Sequence, residues 1–217
     1  MIPRKRNEIH IEIVEVALMA FSDFKTISEV QEKFNIKYSY NDFFGVEEKN
    51  PSEQFLKELE FSQQHIDFFT SEGSRCEVVI FPILREIYKD YAENYGLWVK
   101  KTITYDETLN GTPDYLIATK SELGITVVGM PLIMMVEAKK NDFEQGWGQC
   151  LAEMVAAQKM NDDPDFPVYG IVTDGTLWEF GRFVGDIFTR NRTSFTLANL
   201  PILFGAIDSV FKAVQKN

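Results

Sequence analysis

The segment from Leu132 to Lys139 constrains the fold of this chain more than any other. It opens with five consecutive apolar residues and closes on Glu137-Ala138-Lys139. A short, uninterrupted apolar run of this kind is typical of a strand buried within a sheet. The segment therefore predicts a strand in the interior of the molecule, with two charged residues at its carboxyl end.

A second strand is predicted over residues 113–118, and it also carries a charged residue, Asp114, near its start. Gly111-Thr112-Pro113 leads into it, and a proline is tolerated at the start of a strand. If the two strands pair antiparallel, the start of one lies beside the end of the other, and Asp114 lies near Glu137. Side-chain alternation then divides the strand over residues 132–139 between two faces. One face carries Ile133, Met135, Glu137 and Lys139, and the other carries Val136 and Ala138.

The remaining pattern alternates helices with strands. Helices are predicted over 71–91, from an Asp142/Gln145 capping box to Met160, and along a C-terminal stripe of Leu203, Ile207, Val210, Phe211 and Val214. Further strands are predicted over 97–105, 125–128, 168–173 and 176–180, the last two joined at Asp174-Gly175. This order predicts an α/β (α+β) fold, with a central mixed β-sheet flanked by helices.

The N-terminal third differs from the rest. Residues 8–24 favour a helix, and Ser28 with Gln31 predicts a capping box that opens a second helix through Phe34. Asn50-Pro51-Ser52 introduces another helix, from Glu53 to Phe61. We therefore predict a small, acidic, helical N-terminal cap over residues 1–69 and a core domain over residues 70–217.

Composition narrows the functions that such a chain performs. A net charge of -11 opposes non-specific coating of nucleic acid, because that binding depends on Lys and Arg neutralising phosphates. A local cationic groove stays compatible with it, since salt screens charges beyond about 8–10 Å. No apolar run is long enough for a transmembrane helix, and acidic residues interrupt any secretory pattern. We expect a cytoplasmic protein without membrane association, in which Cys76 and Cys150 are buried thiols.

The charges at the two strand ends suggest a metal site. Burying such charges is costly unless they are paired or hold an ion. The carboxylates of Asp114 and Glu137, with the backbone carbonyl of Ala138 and water, would suit Mg²⁺ or Mn²⁺. Lys139 would orient an attacking water or stabilise the charge of the transition state. The alternative is a structural Glu–Lys pair at a strand end, with Asp114 serving the turn.

Two motifs resemble the PD-(D/E)XK (restriction-endonuclease-like) nuclease superfamily. They read Gly111-Thr112-Pro113-Asp114-Tyr115-Leu116-Ile117 and Val136-Glu137-Ala138-Lys139-Lys140. Segments 71–84 and 146–154 further resemble uncharacterised cyanobacterial-type members and, more distantly, the nuclease domain of type I restriction enzymes. The resemblance spans about residues 70–183. It implies a restriction-endonuclease-like core and Mg²⁺-dependent phosphodiester hydrolysis, with Asp114, Glu137 and Lys139 at the motif positions.

The resemblance also implies site residues on the flanking helices. Family members often supply an acid from the helix before the sheet, and Glu72, Glu77 and Glu86 are the candidates. Helical spacing does not separate Glu72 from Glu77, which flank the apolar stripe on opposite sides, whereas the likeness of Arg75-Cys76-Glu77 to the relatives favours Glu77. On the following helix Gln149 matches a glutamine of related nucleases, but Glu153 stands where those proteins often have a tyrosine.

Three functions stay open at this point. The first is a DNA endonuclease of restriction or defence, with DNA a better substrate than RNA and specificity supplied by a homodimer or a separate subunit. The second is a catalytically idle nuclease-like fold that acts as a binding or regulatory module, which the acidic composition favours. The third is a docking protein whose acidic cap recruits a basic partner. A DNA-facing rim would draw on Lys100, Lys101, Lys120, Lys140, Arg182, Arg190 and Arg192.

Overall fold

A computed structural model of the protein describes residues 20–215. Most of the helix predicted over 8–24 lies outside the described residues, and at its end Phe21–Asp23 forms a short 3₁₀ helix. Within the described range no helix combines the length and the apolar character needed to cross a bilayer. Cys76 and Cys150 are both buried and free, as expected.

A mixed sheet runs through the middle of the molecule, as the sequence predicted. The strands are β1 (Lys37–Tyr40), β2 (Tyr95–Val99), β3 (Ile103–Thr104), β4 (Asn110–Gly111), β5 (Tyr115–Thr119), β6 (Leu132–Ala138), β7 (Val168–Thr173), β8 (Leu177–Val184), β9 (Ile187–Arg190) and β10 (Phe195–Thr196). Eight strands form the main sheet in the order β1-β9-β8-β7-β6-β5-β2, with β10 on β8, while β3 and β4 pair separately. The pairs β6–β7 and β1–β9 are parallel and the other pairs are antiparallel.

Helices cover both faces of this sheet. They are α1 (Ile27–Phe34), α2 (Glu53–His65), α3 (Glu72–Arg75), α4 (Phe81–Tyr88), α5 (Phe143–Asn161) and α6 (Leu200–Gln215). One apolar cluster joins the sheet to α5 and α1, and the other joins the opposite face to α2, α4 and α6. The whole predicted stripe of α6 is buried in the second cluster. The buried sheet thus separates two cores, which accounts for the uninterrupted burial of β6.

The central strand pair forms as predicted, with one exception. β5 and β6 are antiparallel, with Tyr115 opposite Val136 and Ile117 opposite Met134. The register then shifts, so that Ala118 pairs with Leu132 and Ile133 is the extra residue of a β-bulge. Ile133 therefore packs in the same cluster as Val136, and its predicted place beside Met135 was wrong.

The helix predicted over 71–91 is interrupted by a wider turn. α3 runs into a π-helical turn at Cys76–Ile80, where the Phe81 amide donates to the Cys76 carbonyl, and α4 follows. Pro82 lies at the start of α4, where its missing N–H is tolerated. Because a π turn holds more residues than an α turn, side chains before and after it lose the usual 100° phase.

The N-terminal segment is helical in part and also belongs to the sheet. α1 ends at Phe34 as predicted, but Thr26 caps it and accepts the Glu29 amide, so the cap assigned to Ser28 was wrong. Ser52 caps α2 as predicted. β1 adds an edge strand beside β9, which the sequence did not indicate. Within the described part of this segment, α1 packs on α5, β1 joins the sheet, and α2 packs against the π turn and α6 on the opposite face.

Other boundaries also differ from the sequence prediction. The strand predicted over 97–105 is broken at Lys100, whose φ of 50° turns the chain between β2 and β3. Residues 125–128 form no strand, and β9 and β10 were not predicted. The hairpin around Asp174-Gly175 and the α5 cap at Asp142 are confirmed.

Candidate active site

Asp114 and Glu137 meet where β5 begins and β6 ends. Asp114 precedes β5, is 4% exposed, and its Oδ2 accepts the amide N–H of Ala138 at 2.7 Å. Its Oδ1 pairs with the ammonium of Lys100. The antiparallel pairing predicted from the sequence thus fixes the Asp114 carboxylate beside the last residues of β6.

Glu137 is a buried carboxylate with one oxygen in use. It is 2% exposed, and its Oε1 lies 2.6 Å from the Nζ of Lys139. Its Oε2 has no hydrogen-bond partner within residues 20–215. An unsatisfied buried carboxylate oxygen is costly, so this atom would gain from a further partner.

The electrostatics of Glu137 follow from this environment. Burial, followed by the negative charge of Asp114, raises the pKa of Glu137 to about 7, against the opposing effect of Lys139. For Lys139, burial alone would lower the pKa, but the charge and hydrogen bond of Glu137 outweigh it and the pKa is raised. Near neutral pH the lysine is therefore an ammonium beside a carboxylate that a further positive charge would help to ionise.

A row of side chains on α5 continues from the lysine into the protein. Lys139 donates from Nζ to the Oε1 of Gln149 at 3.2 Å, and the Nε2 of Gln149 donates to the Oε1 of Glu153 at 3.3 Å. Glu153 is fully buried and its Oε2 lacks a hydrogen-bond partner in the described chain. Burial, then the charge of Glu137, raises the pKa of Glu153 well above its ordinary value. The sequence showed the spacing of this row but gave no sign of its burial.

Lys100 joins the site in a way that the sequence did not indicate. It was predicted only as part of a DNA-facing rim, yet its side chain contacts Asp114 and its amide donates to the Asp114 carbonyl at 2.9 Å. The left-handed backbone at Lys100 makes both contacts available, and a lysine offers no sequence signal for that conformation. Its side chain is 59% exposed, in contrast to that of Lys139 at 16%.

The two helix glutamates differ in the site groups on which their charges act. The charge of Glu72 contributes to the raised pKa values of both Glu137 and Lys139. Glu77 is exposed, and its charge contributes to the raised pKa of Tyr115. The preference for Glu77 rested on the likeness of Arg75-Cys76-Glu77 to related nucleases, and it stays a prediction. Glu86 lies away from the site, where it pairs with Lys89 and accepts from Ser52.

The seven cations of the predicted rim do not gather into one surface. Lys100 and Lys140 lie near the site, the latter donating to the Thr70 carbonyl at 3.1 Å. Lys120 follows the far end of β5, where it donates to the Ala92 carbonyl. Arg182 pairs across from Tyr169 on the opposite face of the sheet. The others stack on rings: Lys101 on Trp98, Arg190 on Trp147 and Arg192 on Tyr40.

Gly146 makes room for the side chain of Lys139. A Cβ at this position would lie 2.7 Å from Cγ1 of Val172 and 2.9 Å from Cγ of Lys139. A Cβ at Gly148 would instead lie 2.6 Å from the backbone nitrogen of Thr26. The two glycines therefore allow close packing of α5 on β7, on the lysine stem and on the N-terminal segment.

The donor set fits a hard divalent cation, though it is small. Within residues 20–215 no three His, Cys, Asp or Glu side chains form a metal-binding group. The free Oε2 of Glu137 and the adjacent Asp114 carboxylate are oxygen donors of the kind that Mg²⁺ and Mn²⁺ prefer. Ala138 lies between the two predicted ligands at the end of β6, with its amide already bound to Asp114. Full use of Asp114 requires its exposed partner, Lys100, to move away.

A scan of the chain against protein-family models finds no matching family, and a search of curated proteins finds no matching sequence.

Proposed function

We propose that this protein is a Mg²⁺-dependent nuclease that hydrolyses phosphodiester bonds of DNA. The observation that carries the proposal is the buried carboxylate of Glu137, which keeps Oε2 unpartnered within residues 20–215 while its Oε1 pairs with the ammonium of Lys139. A structural ion pair gains from satisfying every buried oxygen, because each one left unpaired costs about 1–3 kcal/mol. A site that awaits a cation explains the open oxygen.

Asp114 and Glu137 would hold the cation, with the Ala138 carbonyl as the third protein ligand expected from the motif. Bound Mg²⁺ supplies polarisation of the scissile phosphate and a more acidic water. Lys139 positions its ammonium at the mouth of the site, where it orients the attacking water and stabilises negative charge that develops on the phosphoryl oxygens. Lys100, once released from Asp114, is long and exposed enough to bind a DNA phosphate.

A second candidate is an idle nuclease-like fold that acts as a binding module. One observation favours it: each carboxylate already has a lysine beside it, Lys100 for Asp114 and Lys139 for Glu137. Such internal neutralisation would make the metal dispensable for folding. The net charge of -11 is also unusual for a protein that must approach DNA.

Calorimetric titration with Mg²⁺ and Mn²⁺, followed by cleavage assays, separates these candidates. Wild-type protein is expected to bind the ion and to cut duplex DNA, and Asp114→Asn and Glu137→Gln are expected to lose both properties. The matched control is Asp186→Asn, since Asp186 forms an exposed pair with Lys37 and takes no part in the site. Wild-type protein that binds neither ion and cuts neither duplex DNA, single-stranded DNA nor RNA would support the binding module instead.

A further inference from the structure

Glu153 is the one fully buried acid of α5, and the proposed hydrolysis gives it no task. It lies one helical turn beyond Gln149, so the two side chains occupy the same face of the helix. Its Oε1 accepts a hydrogen bond from Nε2 of Gln149 at 3.3 Å. Gln149 in turn accepts a hydrogen bond from Lys139 of the site. A carboxyl group in an apolar interior is costly, which calls for a role that an apolar residue would not fill.

The hydrogen bonds in this row have only one consistent direction. The ammonium of Lys139 only donates, so Gln149 has to present its oxygen to it. The amide nitrogen of Gln149 then points the other way and needs an acceptor, which is Oε1 of Glu153. Without that acceptor the amide would be free to turn over, and its NH₂ group would face the ammonium.

We propose that Glu153 is a positioning residue for Lys139, acting through the side-chain amide of Gln149. The inference rests on the proposed nuclease function for its consequence in catalysis, although the contact itself does not. Two donors of the ammonium are engaged, one by Glu137 and one by Gln149, within the described part of the chain. The third is thereby directed to the water or phosphate at the site mouth.

The raised pKa of Glu153 is consistent with this role. Burial and the charge of Glu137 both favour the protonated carboxyl, as its raised pKa records. A neutral carboxyl still accepts through one oxygen, and it avoids placing another negative charge in a buried site that already contains Glu137. Glutamine has the same length and the same acceptor, whereas methionine has a similar shape without one.

Glu153→Met and Glu153→Gln form the test pair, read first by NMR on the metal-free protein. The side-chain amide signals of Gln149 are identified by their loss in Gln149→Ala. We expect Glu153→Gln to keep these protons protected from exchange and Glu153→Met to shift them and abolish the protection. Unchanged Gln149 signals in Glu153→Met would overturn the proposal.

Single-turnover cleavage supplies the second measurement. Losing an acceptor in contact with a charged row is expected to slow Glu153→Met about ten- to a hundredfold, with KM unchanged and Glu153→Gln within about threefold of wild type. In the Gln149→Ala background the methionine substitution is expected to have no further effect.

The outcomes divide cleanly between the two proposals. Additive losses in the double variant, or equal losses in both Glu153 variants, would overturn positioning through Gln149. Thermal unfolding of Glu153→Met checks that the variant is folded. Its stability is expected to be nearly unchanged, because methionine replaces the buried acid in an apolar surrounding. If wild-type protein cuts nothing while the NMR result holds, the positioning contact stands and the nuclease function fails.

Discussion

Within residues 20–215 the protein buries acidic residues in two places, and the hydrogen bonding of the carboxylates differs between them. Asp208 on α6 is 3% exposed, and it accepts from Lys49 at 2.6 Å, from Lys212 at 2.9 Å and from Tyr91 at 2.8 Å. We call this group the α6 cluster. Glu137 and Glu153, in the site on the other face of the sheet, each have an oxygen without a partner in the described chain.

The pKa values follow the same division. Burial acts to raise the pKa of Asp208, but the hydrogen bonds from Lys49, Lys212 and Tyr91 outweigh burial and lower it. In the site, burial prevails and the pKa values of Glu137 and Glu153 are raised. In the α6 cluster the partners of Asp208 therefore more than offset the cost of burying its charge. In the site, the nearby lysine does not offset the cost of burying Glu137 and Glu153.

A buried acid by itself does not identify a functional site. The α6 cluster shows that this fold is able to satisfy a buried carboxylate fully when only stability is needed. The shortfall around Glu137 is therefore informative, because the fold tolerates a costly arrangement there. The following experiments test whether that shortfall serves a cation and a reaction.

The largest expected effect is the loss of catalysis in Lys139→Met. Removing one preorganised charge is expected to slow single-turnover cleavage by about two to three orders of magnitude, while Mg²⁺ binding measured by calorimetry persists. Lys212→Met, which removes a lysine from the α6 cluster, is the matched control and is expected to leave the cleavage rate unchanged. Equal losses in the two variants would remove the distinction between the clusters.

Stability is expected to respond in opposite directions to neutralising the two acids. Asp208→Asn breaks a satisfied pair whose lysines are partly exposed, and we expect it to lower the free energy of unfolding by about 2 kcal/mol. Glu137→Gln removes an under-satisfied charge, and we expect it to raise the free energy of unfolding of the metal-free protein at pH 7.5. Urea denaturation with a chelator present measures both. A destabilised Glu137→Gln would mean that Glu137 is a structural partner of Lys139.

The contributions of Glu137 and Asp208 to the free energy of unfolding are expected to depend on pH in opposite directions. The folded pKa of Glu137, about 7, lies above the ordinary value of 4.5. Its protonated form therefore stabilises the fold below pH 4.5, and that stabilisation is lost as the pH rises through 7, by up to about 3 kcal/mol. For Asp208 the folded pKa is lowered, so its contribution is present above the ordinary value of 3.8 and is lost in acid.

The measurement is the free energy of unfolding across pH 4.5–8, taken as the difference between wild type and Glu137→Gln. We expect the advantage of the glutamine variant to grow with pH in the presence of a chelator and to shrink when Mg²⁺ is added, because the ion binds the ionised native site. A difference that is flat in pH would contradict the raised pKa of Glu137.

The smallest expected effect is that of Gly146→Ala, at the glycine that packs against Lys139. Gly146→Ala presses on the side chains of Val172 and Lys139, which are able to shift, so we expect a loss of about 1 kcal/mol and a modest fall in cleavage rate. Gly205→Ala, on α6, would place its Cβ 1.9 Å from the backbone carbonyl of Glu47 and is expected to destabilise more. Thermal unfolding and cleavage assays compare the two. An unaltered rate in Gly146→Ala would show that the lysine stem has spare room.

Much of the fold and the centre of the site could be predicted from local pattern. The apolar run of β6, the proline before Asp114 and the cap at Asp142 determine strands and a helix through periodicity and short-range hydrogen bonds. Antiparallel pairing then requires the start of β5 to lie beside the end of β6, so Asp114 and Glu137 meet. These features depend on neighbours in sequence or on a single strand pair.

The rest was decided by tertiary structure. The π turn broke the α-helical phase of the 71–91 segment, and the left-handed backbone at Lys100 brought a second lysine to the site. The α6 cluster joins the helical i,i+4 pair of Asp208 and Lys212 to Lys49 and Tyr91, which no sequence period connects to that pair. Charge state follows burial and partners, and these are set by long-range packing. The sequence alone therefore determined which acids lie together at the strand ends, and the packed structure decided which buried acids are satisfied.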